Sequence, residues 1–199
     1  MTFEQSHSNL KEITIDLGRQ VVIKGDLGIV ADAEAIVVFA HGSGSSRFSP
    51  RNRYVAGHLQ QAGLSTLLID LLTPEEEEID METRELRFDI DLLAERVAGT
   101  TEWLAGNQKT AELKVGYFGA STGAAAALKA AARNPDIKAV VSRGGRPDLA
   151  GDALEKVKAP TLLVVGGSDP VVININQQAM RKFNCPVDLR IIPGATHLF

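Results

Sequence analysis

The segment that most constrains this chain is a pentapeptide between a predicted strand and a predicted helix. Residues 113–118 are largely apolar and run directly into Gly119-Ala120-Ser121-Thr122-Gly123, and seven alanines follow between residues 124 and 132. Glycines permit a sharp turn, and alanines allow the helix to pack closely on a sheet. The order of strand, tight turn and helix predicts an α/β protein in which Ser121 stands above the carboxyl end of a strand.

Ser121 is the candidate nucleophile of this turn. Its hydroxyl is expected to be exposed, and the backbone N–H of Thr122 lies at the positive end of the following helix, where it can stabilise an oxyanion. The alternative is that Ser121 only caps the helix. The pentapeptide alone leaves both interpretations open.

Two further residues follow predicted strands in the same way. Asp169 comes just after the apolar residues 161–165, and His197 comes shortly after residues 188–192. The order serine, aspartate, histidine, with each residue on a loop after a strand, is the order of an α/β-hydrolase. The 28 positions from Asp169 to His197 leave room for the helix and strand that return the chain to the same sheet edge.

Each of these residues also has an ordinary structural interpretation, since an aspartate before a proline usually marks a turn. Their coincidence with the serine turn favours a catalytic triad. In that triad Ser121 attacks a carbonyl, His197 takes its proton, and Asp169 holds the imidazole in the required tautomer.

A second glycine-rich loop, His41-Gly42-Ser43-Gly44-Ser45-Ser46, follows the apolar residues 35–40. We predict that the backbone N–H of Ser43 completes the oxyanion hole with that of Thr122, and that Gly44 lets the main chain approach the substrate. His41 is expected to support this backbone. A phosphate-binding turn is the alternative, but the third glycine of G-x-G-x-x-G and a Gly-Lys-Ser/Thr ending are both missing.

These motifs together resemble the dienelactone-hydrolase-like group of α/β-hydrolases. The likeness is carried by the two glycine loops, by Gly167-Ser168-Asp169 and by Thr196-His197. It implies a mostly parallel sheet with helices on both faces and no cap domain. Dienelactone hydrolase itself uses a cysteine nucleophile, whereas this chain has Ser121, and its only cysteine, Cys185, lies away from every motif. Because some hydrolases place the acid one strand earlier, Asp148 is the reserve acid.

The resemblance predicts a serine hydrolase that cleaves a small ester, lactone or related acyl substrate through an acyl-enzyme. A noncatalytic hydrolase-fold binding module, or a thioesterase, peptidase or acyltransferase with the same triad, remains an alternative. Arg143 and Arg146 follow a central strand and are candidates for binding a substrate carboxylate, although solvated loop charges are the ordinary interpretation. The lack of a long insertion predicts an open, shallow pocket.

Composition excludes several other classes. The 199 residues are 44% hydrophobic, which suits one compact domain, and the resemblance implies that residues 1–199 form a single α/β-hydrolase domain. The net charge of −4, without a basic cluster, argues against nucleic acid. No apolar run is long enough for a membrane span, and the polar N-terminus lacks a signal-peptide pattern. One cysteine predicts a reducing, cytoplasmic setting, and no histidine or cysteine spacing indicates a metal or cofactor. The sequence does not predict the oligomeric state.

The rest of the chain predicts helices and strands in alternation. An antiparallel start with a turn at residues 24–26 precedes the parallel strands, residues 75–78 form an acidic loop that is a candidate gate, and helices cover residues 83–105 and 147–157. In similar hydrolases a final helix follows the catalytic histidine. We therefore expect either a further C-terminal segment or a partner to cover one face of the sheet.

Overall fold

The computed structural model describes residues 10–199 and contains one eight-stranded sheet. Its strands are β1 (Lys11–Asp16), β2 (Val22–Gly28), β3 (Ala35–Ala40), β4 (Ser65–Ile69), β5 (Lys114–Ala120), β6 (Val140–Arg143), β7 (Thr161–Gly166) and β8 (Val187–Ile192). Their spatial order is β1-β2-β4-β3-β5-β6-β7-β8. Strands β3 to β8 pair in parallel, and β2 pairs antiparallel with both of its neighbours. The predicted α/β-hydrolase architecture is confirmed.

Five helices connect the strands: α1 (Pro50–Gln61), α2 (Pro74–Thr83), α3 (Ile90–Gly106), α4 (Thr122–Ala131) and α5 (Pro170–Met180). Short 3-10 segments occupy Leu86–Phe88 and Pro147–Lys156. In the described part of the chain the parallel strands are connected only by these helices, the 3-10 segments and short loops, in agreement with a fold without a cap domain. No helix of residues 10–199 is both long and apolar enough to cross a membrane.

The core lies on both faces of the sheet because successive strand residues point to opposite sides. In β3, Val38 belongs to the larger apolar cluster, which includes the buried face of α4, whereas the adjacent Phe39 belongs to a smaller cluster with Ala56 of α1. Phe39 also packs against Phe118 of β5, with ring centroids 4.9 Å apart. Helices therefore cover both faces.

The chain reverses its direction of strand addition between β3 and β5. After β3 it adds β4 on one side, and it then returns to place β5 on the other side of β3. In open α/β sheets ligands bind at the carboxyl ends of the strands beside such a switch point. Both predicted glycine loops leave the sheet there.

The acidic segment 75–78 is helical, so the prediction of a loop was wrong. Thr73 and Glu76 form a reciprocal capping box at the start of α2: the Thr73 hydroxyl accepts from the Glu76 N–H at 3.2 Å, and Glu76 accepts from the Thr73 N–H at 2.8 Å. These bonds satisfy two backbone donors, and the acidic side chains in the first turn interact favourably with the positive end of the helix dipole. The charge run therefore stabilises a helix start.

Two other local predictions were also wrong. Residues 24–26 lie inside β2, and the antiparallel turn instead spans residues 17–21, with Gly18 at a φ of 77°. The long predicted helix begins only at Ile90, because Asp89 caps it. The helix predicted at residues 147–157 is present as the 3-10 segment Pro147–Lys156, which bends at Gly151, whose φ is 58°.

Candidate active site

Ser121 occupies a strained turn at the end of β5. Its φ of 51° and ψ of −120° lie outside the regions that residues with a side chain normally adopt. The flanking glycines make this turn possible: a Cβ on Gly119 would lie 2.4 Å from the Ala124 Cα, and one on Gly123 would lie 2.2 Å from the His41 carbonyl oxygen. The Ser121 side chain makes no capping hydrogen bond to α4. The helix-cap interpretation therefore does not describe this serine.

His197 and Asp169 are in direct contact. The Nδ1 of His197 lies 2.8 Å from Oδ2 of Asp169. The other carboxylate oxygen of Asp169 accepts the Val172 N–H at 3.2 Å and so caps α5. Because a carboxylate only accepts, Nδ1 carries the proton in this contact, and the neutral tautomer of the imidazole has its lone pair on Nε2, as a general base requires.

Close packing of two strand exits brings the aspartate loop to the histidine loop. A Cβ on Gly166 would lie 2.2 Å from the Thr196 carbonyl oxygen, so only glycine fits where β7 ends. The Ser168 N–H also donates to the Ala195 carbonyl at 2.8 Å. This backbone pairing fixes the short distance between Asp169 and His197.

The structure places Ser121 and His197 on either side of one loop, residues 143–146. The Ser121 N–H donates to the Arg143 carbonyl at 3.2 Å, and a Cβ on Gly144 would lie 3.6 Å from Cε1 of the His197 ring. No hydrogen bond between the Ser121 hydroxyl and the His197 imidazole is present among the described residues.

The predicted oxyanion loop lies against the serine turn. A Cβ on Gly42 would lie 3.1 Å from the Ser121 Cβ, and the Ser43 N–H donates to the Thr122 Oγ1 at 2.9 Å. The Thr122 N–H is the first of α4 and has no acceptor within the helix. The two predicted donors thus lie side by side, with the Ser43 donor held by the Thr122 hydroxyl.

His41 holds the peptide that carries the Ser43 N–H. Its Nδ1 donates to the Gly42 carbonyl at 2.9 Å, and its Nε2 accepts the Leu71 N–H at 3.2 Å. Burial lowers the pKa of His41 against the opposing effects of the Gly42 carbonyl and the Asp70 carboxylate, so the neutral ring is favoured. Since a peptide group is planar, fixing the Gly42 carbonyl also fixes the direction of the Ser43 N–H.

A model of the dienelactone hydrolase family matches residues 24–199. The chain belongs to the dienelactone hydrolase family. A crystal structure of dienelactone hydrolase from Anabaena variabilis is 62% identical, with a TM-score of 0.93 over 96% of the present chain and 88% of that chain. The family and the fold that the sequence predicted are confirmed, and membership in this family supports hydrolase chemistry.

Two other similarities concern the fold and the share of each relative's length that the match covers. Est1E from Butyrivibrio proteoclasticus is 16% identical, with a TM-score of 0.77 over 94% of this chain and 90% of that chain, which shows a shared fold. Two Mycobacterium tuberculosis proteins, each named as a candidate phosphoribosyl transferase, are 58% identical to the present chain over 180 residues. The match covers 90% of the present chain, which spans about 40% of the length of these relatives.

The arginines predicted to bind substrate lie in different surroundings in this family member. Arg146 pairs with Asp148 through both Nε and Nη2, at 2.9 and 2.7 Å, so the reserve acid contacts an arginine and not the histidine. Arg143 donates to the Asn52 side chain at 3.2 Å and to the Phe199 carbonyl. It lines an apolar cavity of about 490 Å³ beside α1.

A narrow cavity next to Ser43, Gly44 and Thr122 has a volume of about 10 Å³, which is room for one water molecule. Arg87 and the buried Asp80 line it, joined through Arg87 Nε at 2.5 Å. Sequence reasoning missed both residues: Asp80 lies on α2, which begins in the segment that was predicted as a loop, and Arg87 lies in the 3-10 segment where the start of the long helix was predicted. The capping pattern of Thr73 and Glu76 was the available signal for α2.

Proposed function

We propose that this protein is a serine hydrolase that cleaves a small ester, lactone or related acyl substrate. Ser121 is the nucleophile, His197 the general base and Asp169 the residue that orients the imidazole. The observation that carries the proposal is the 2.8 Å contact between His197 and Asp169 beside a strained serine turn. All three residues follow strands that end at the sheet edge where this fold binds ligands.

The proposed reaction begins when the Ser121 oxygen attacks the substrate carbonyl and His197 Nε2 takes the hydroxyl proton. Asp169 stabilises the imidazolium that forms and stays ionised. His197 then gives the proton to the leaving alcohol as the carbon–oxygen bond breaks. Water, activated in turn by His197, attacks the acyl-enzyme and releases the acid.

The N–H groups of Thr122 and Ser43 are proposed to stabilise the tetrahedral oxyanion. The Ser43 N–H donates to the Thr122 hydroxyl, so the oxyanion must take over this donor. Removal of one such donor costs about 3 to 4 kcal/mol of transition-state stabilisation in comparable enzymes. Gly44 continues this loop along the narrow cavity and is the proposed backbone contact for the substrate.

Arg143 and Arg146 remain proposed contacts for an anionic substrate. Asp148 already balances the charge of Arg146, whereas no carboxylate side chain pairs with Arg143 among the described residues. Comparison of neutral and anionic esters tests this role: an Arg143→Ala variant that lowers kcat/KM equally for both excludes it.

Phosphoribosyl transfer is the second candidate function, because the Mycobacterium relatives with that name are 58% identical. The match covers about 40% of those proteins, so we favour the hydrolase function for the matched part. Incubation of the protein with phosphoribosyl diphosphate and free nucleobases tests the alternative, since transfer would release pyrophosphate. A small-molecule substrate and a cytoplasmic location complete the proposal.

Hydrolysis of p-nitrophenyl acetate by wild type, Ser121→Ala and Ser168→Ala tests the proposed chemistry. Ser168 is an exposed serine beside Asp169 and serves as the matched control. We expect saturable turnover that Ser121→Ala abolishes and Ser168→Ala preserves. Full turnover by Ser121→Ala would contradict the assignment. A folded wild type inactive on short esters, thioesters and lactones would instead favour a noncatalytic module.

A further inference from the structure

The loop of residues 143–146 contacts the backbone of Ser121 on one side and His197 on the other, so its position affects the separation of these two residues. At one end the Ser121 N–H donates to the Arg143 carbonyl at 3.2 Å, and at the other the Arg146 N–H donates to the Ser121 carbonyl at 3.1 Å. Between these ends, a Cβ on Gly144 would lie 3.2 Å from the His197 carbonyl oxygen. A shift of this loop would therefore move Ser121 relative to His197.

A single side chain from α5 holds the middle of the 143–146 loop. Asn176 is fully buried, and its Nδ2 donates to the Gly145 carbonyl at 3.0 Å and to the Val172 carbonyl at 2.8 Å. Both neighbours are carbonyl oxygens, which only accept, so the nitrogen of the amide must face them. Because Asp169 caps the same helix, Asn176 joins the helix of the acid to the loop between the nucleophile and the base.

The surroundings of Gly145 show why this bond matters. A Cβ at Gly145 would lie 1.9 Å from the Ser142 hydroxyl oxygen and 2.7 Å from the Ala124 Cβ, so the loop is pressed against β6 and α4. Ser142 is also fully buried, yet its hydroxyl makes no hydrogen bond with the described residues. Of the two buried polar side chains beside Gly145, only Asn176 bonds to the loop.

We propose that Asn176 is a positioning residue of the active site. Its amide fixes the Gly145 carbonyl and thereby the spacing of Ser121 and His197. The inference rests on the proposed hydrolase function. Reacting groups displaced by about 1 Å can lose about 10²-fold in rate, so loss of this bond lowers kcat more than it raises KM.

The experiment compares Asn176→Ala, Asn176→Ser and the control Ser142→Ala with wild type on p-nitrophenyl acetate. A serine at 176 is able to keep the bond within α5 but is too short to reach Gly145. We expect both Asn176 variants to lose at least about tenfold in kcat, with KM changed by less than about threefold. The control Ser142→Ala removes the other buried polar group beside Gly145. We expect its kcat to stay within about twofold of wild type.

Circular dichroism and assays well below each melting temperature separate this role from a general loss of stability, which would lower the melting temperature and leave kcat unchanged. Folded Asn176 variants with wild-type kcat overturn the inference, as does an equal loss in Ser142→Ala. If neither variant folds, NMR of wild type decides: the Asn176 side-chain amide signals shift when a fluorophosphonate reacts with Ser121. Unchanged signals overturn the inference.

Measurements on the wild type distinguish failure of the proposed hydrolase function from failure of the inference about Asn176. A wild type that neither hydrolyses the ester nor reacts with the fluorophosphonate overturns the proposed function and this inference together. An active wild type with unaffected Asn176 variants overturns the inference alone.

Discussion

At the scale of single residues, Asp169 has two tasks that its two oxygens divide. One oxygen caps α5 through the Val172 N–H, and the other accepts the His197 Nδ1–H. The cap fixes the carboxylate, so the histidine is oriented by a group that a helix start already holds in place. Because the same carboxylate both caps α5 and orients His197, an Asp-Pro pair, ordinarily a turn signal, is found at the candidate site.

The variant Asp169→Asn tests the orienting role. Asparagine keeps the shape and the cap, but its amide favours the wrong imidazole tautomer, so we expect kcat to fall by about three to four orders of magnitude. Ester hydrolysis measures the loss. Asp148→Asn is the matched control and should keep its activity, since Asp148 pairs with Arg146. Comparable losses in both variants would contradict the choice of acid.

His41 predicts a dependence of stability on pH. Burial lowers the pKa of its imidazole in the folded state below the ordinary value, so the unfolded chain binds more protons as the pH falls. The stabilising contribution is complete above about pH 6.5 and is lost as the pH drops toward the folded pKa. Protonation of Nε2 would also break its bond from the Leu71 N–H.

Urea unfolding of wild type and His41→Gln at pH 7.5 and pH 5 measures this effect. Glutamine cannot titrate, so we expect the free energy of unfolding of wild type to fall more than that of the variant, by at most about 2 kcal/mol, the limit set by the ordinary histidine pKa of the unfolded chain. Equal changes in the two proteins would show that His41 does not carry the dependence.

At the scale of elements, α2 depends on the capping box at its start. The Thr73 hydroxyl and the Glu76 carboxylate satisfy two backbone N–H groups, and Glu76 also pairs with Arg96 of α3 at 2.5 Å. The helix thereby carries Asp80 and Glu77 to the wall of the narrow cavity. The start of α2 thus affects the shape of the candidate site.

Thr73→Ala is expected to lower the free energy of unfolding by about 1 kcal/mol, because an orphan N–H at the helix start loses its acceptor. Chemical denaturation measures the change. Thr73→Ser keeps the hydroxyl and serves as the control. A loss as large with serine as with alanine would show that the hydroxyl bond is not the cause.

Helix α4 positions the serine turn through its buried alanines. Ala125 is fully buried against the core, so Ala125→Leu should cost about 1 to 3 kcal/mol of stability and tilt the helix start. We expect at least a tenfold loss of kcat well below the melting temperature, since a small misplacement is costly. Ala132→Leu, at the partly exposed far end, is the control. Stability lost with kcat unchanged would contradict this role.

At the scale of the whole molecule, the loops that follow the strands were the part of the structure that could be predicted from the sequence. Apolar strands followed by glycine loops predicted the fold and the approach of Asp169 to His197, because parallel strands end at one sheet edge, and the motifs in those loops carried the resemblance to the family. Asn176 could not be predicted, since its partner Gly145 lies 31 positions away and only the packing of α5 brings them together. The bond from Ser43 to Thr122 depends in the same way on the register of β3 with β5.

The central claim is that Ser121 is a nucleophile activated by His197. Peptide mass spectrometry after treatment with a fluorophosphonate tests it most directly. We predict a single phosphonylated residue, Ser121, and loss of that adduct in a folded variant in which His197 is replaced by alanine. A folded wild type that remains unmodified at Ser121, or that carries the adduct on another serine, would contradict the claim.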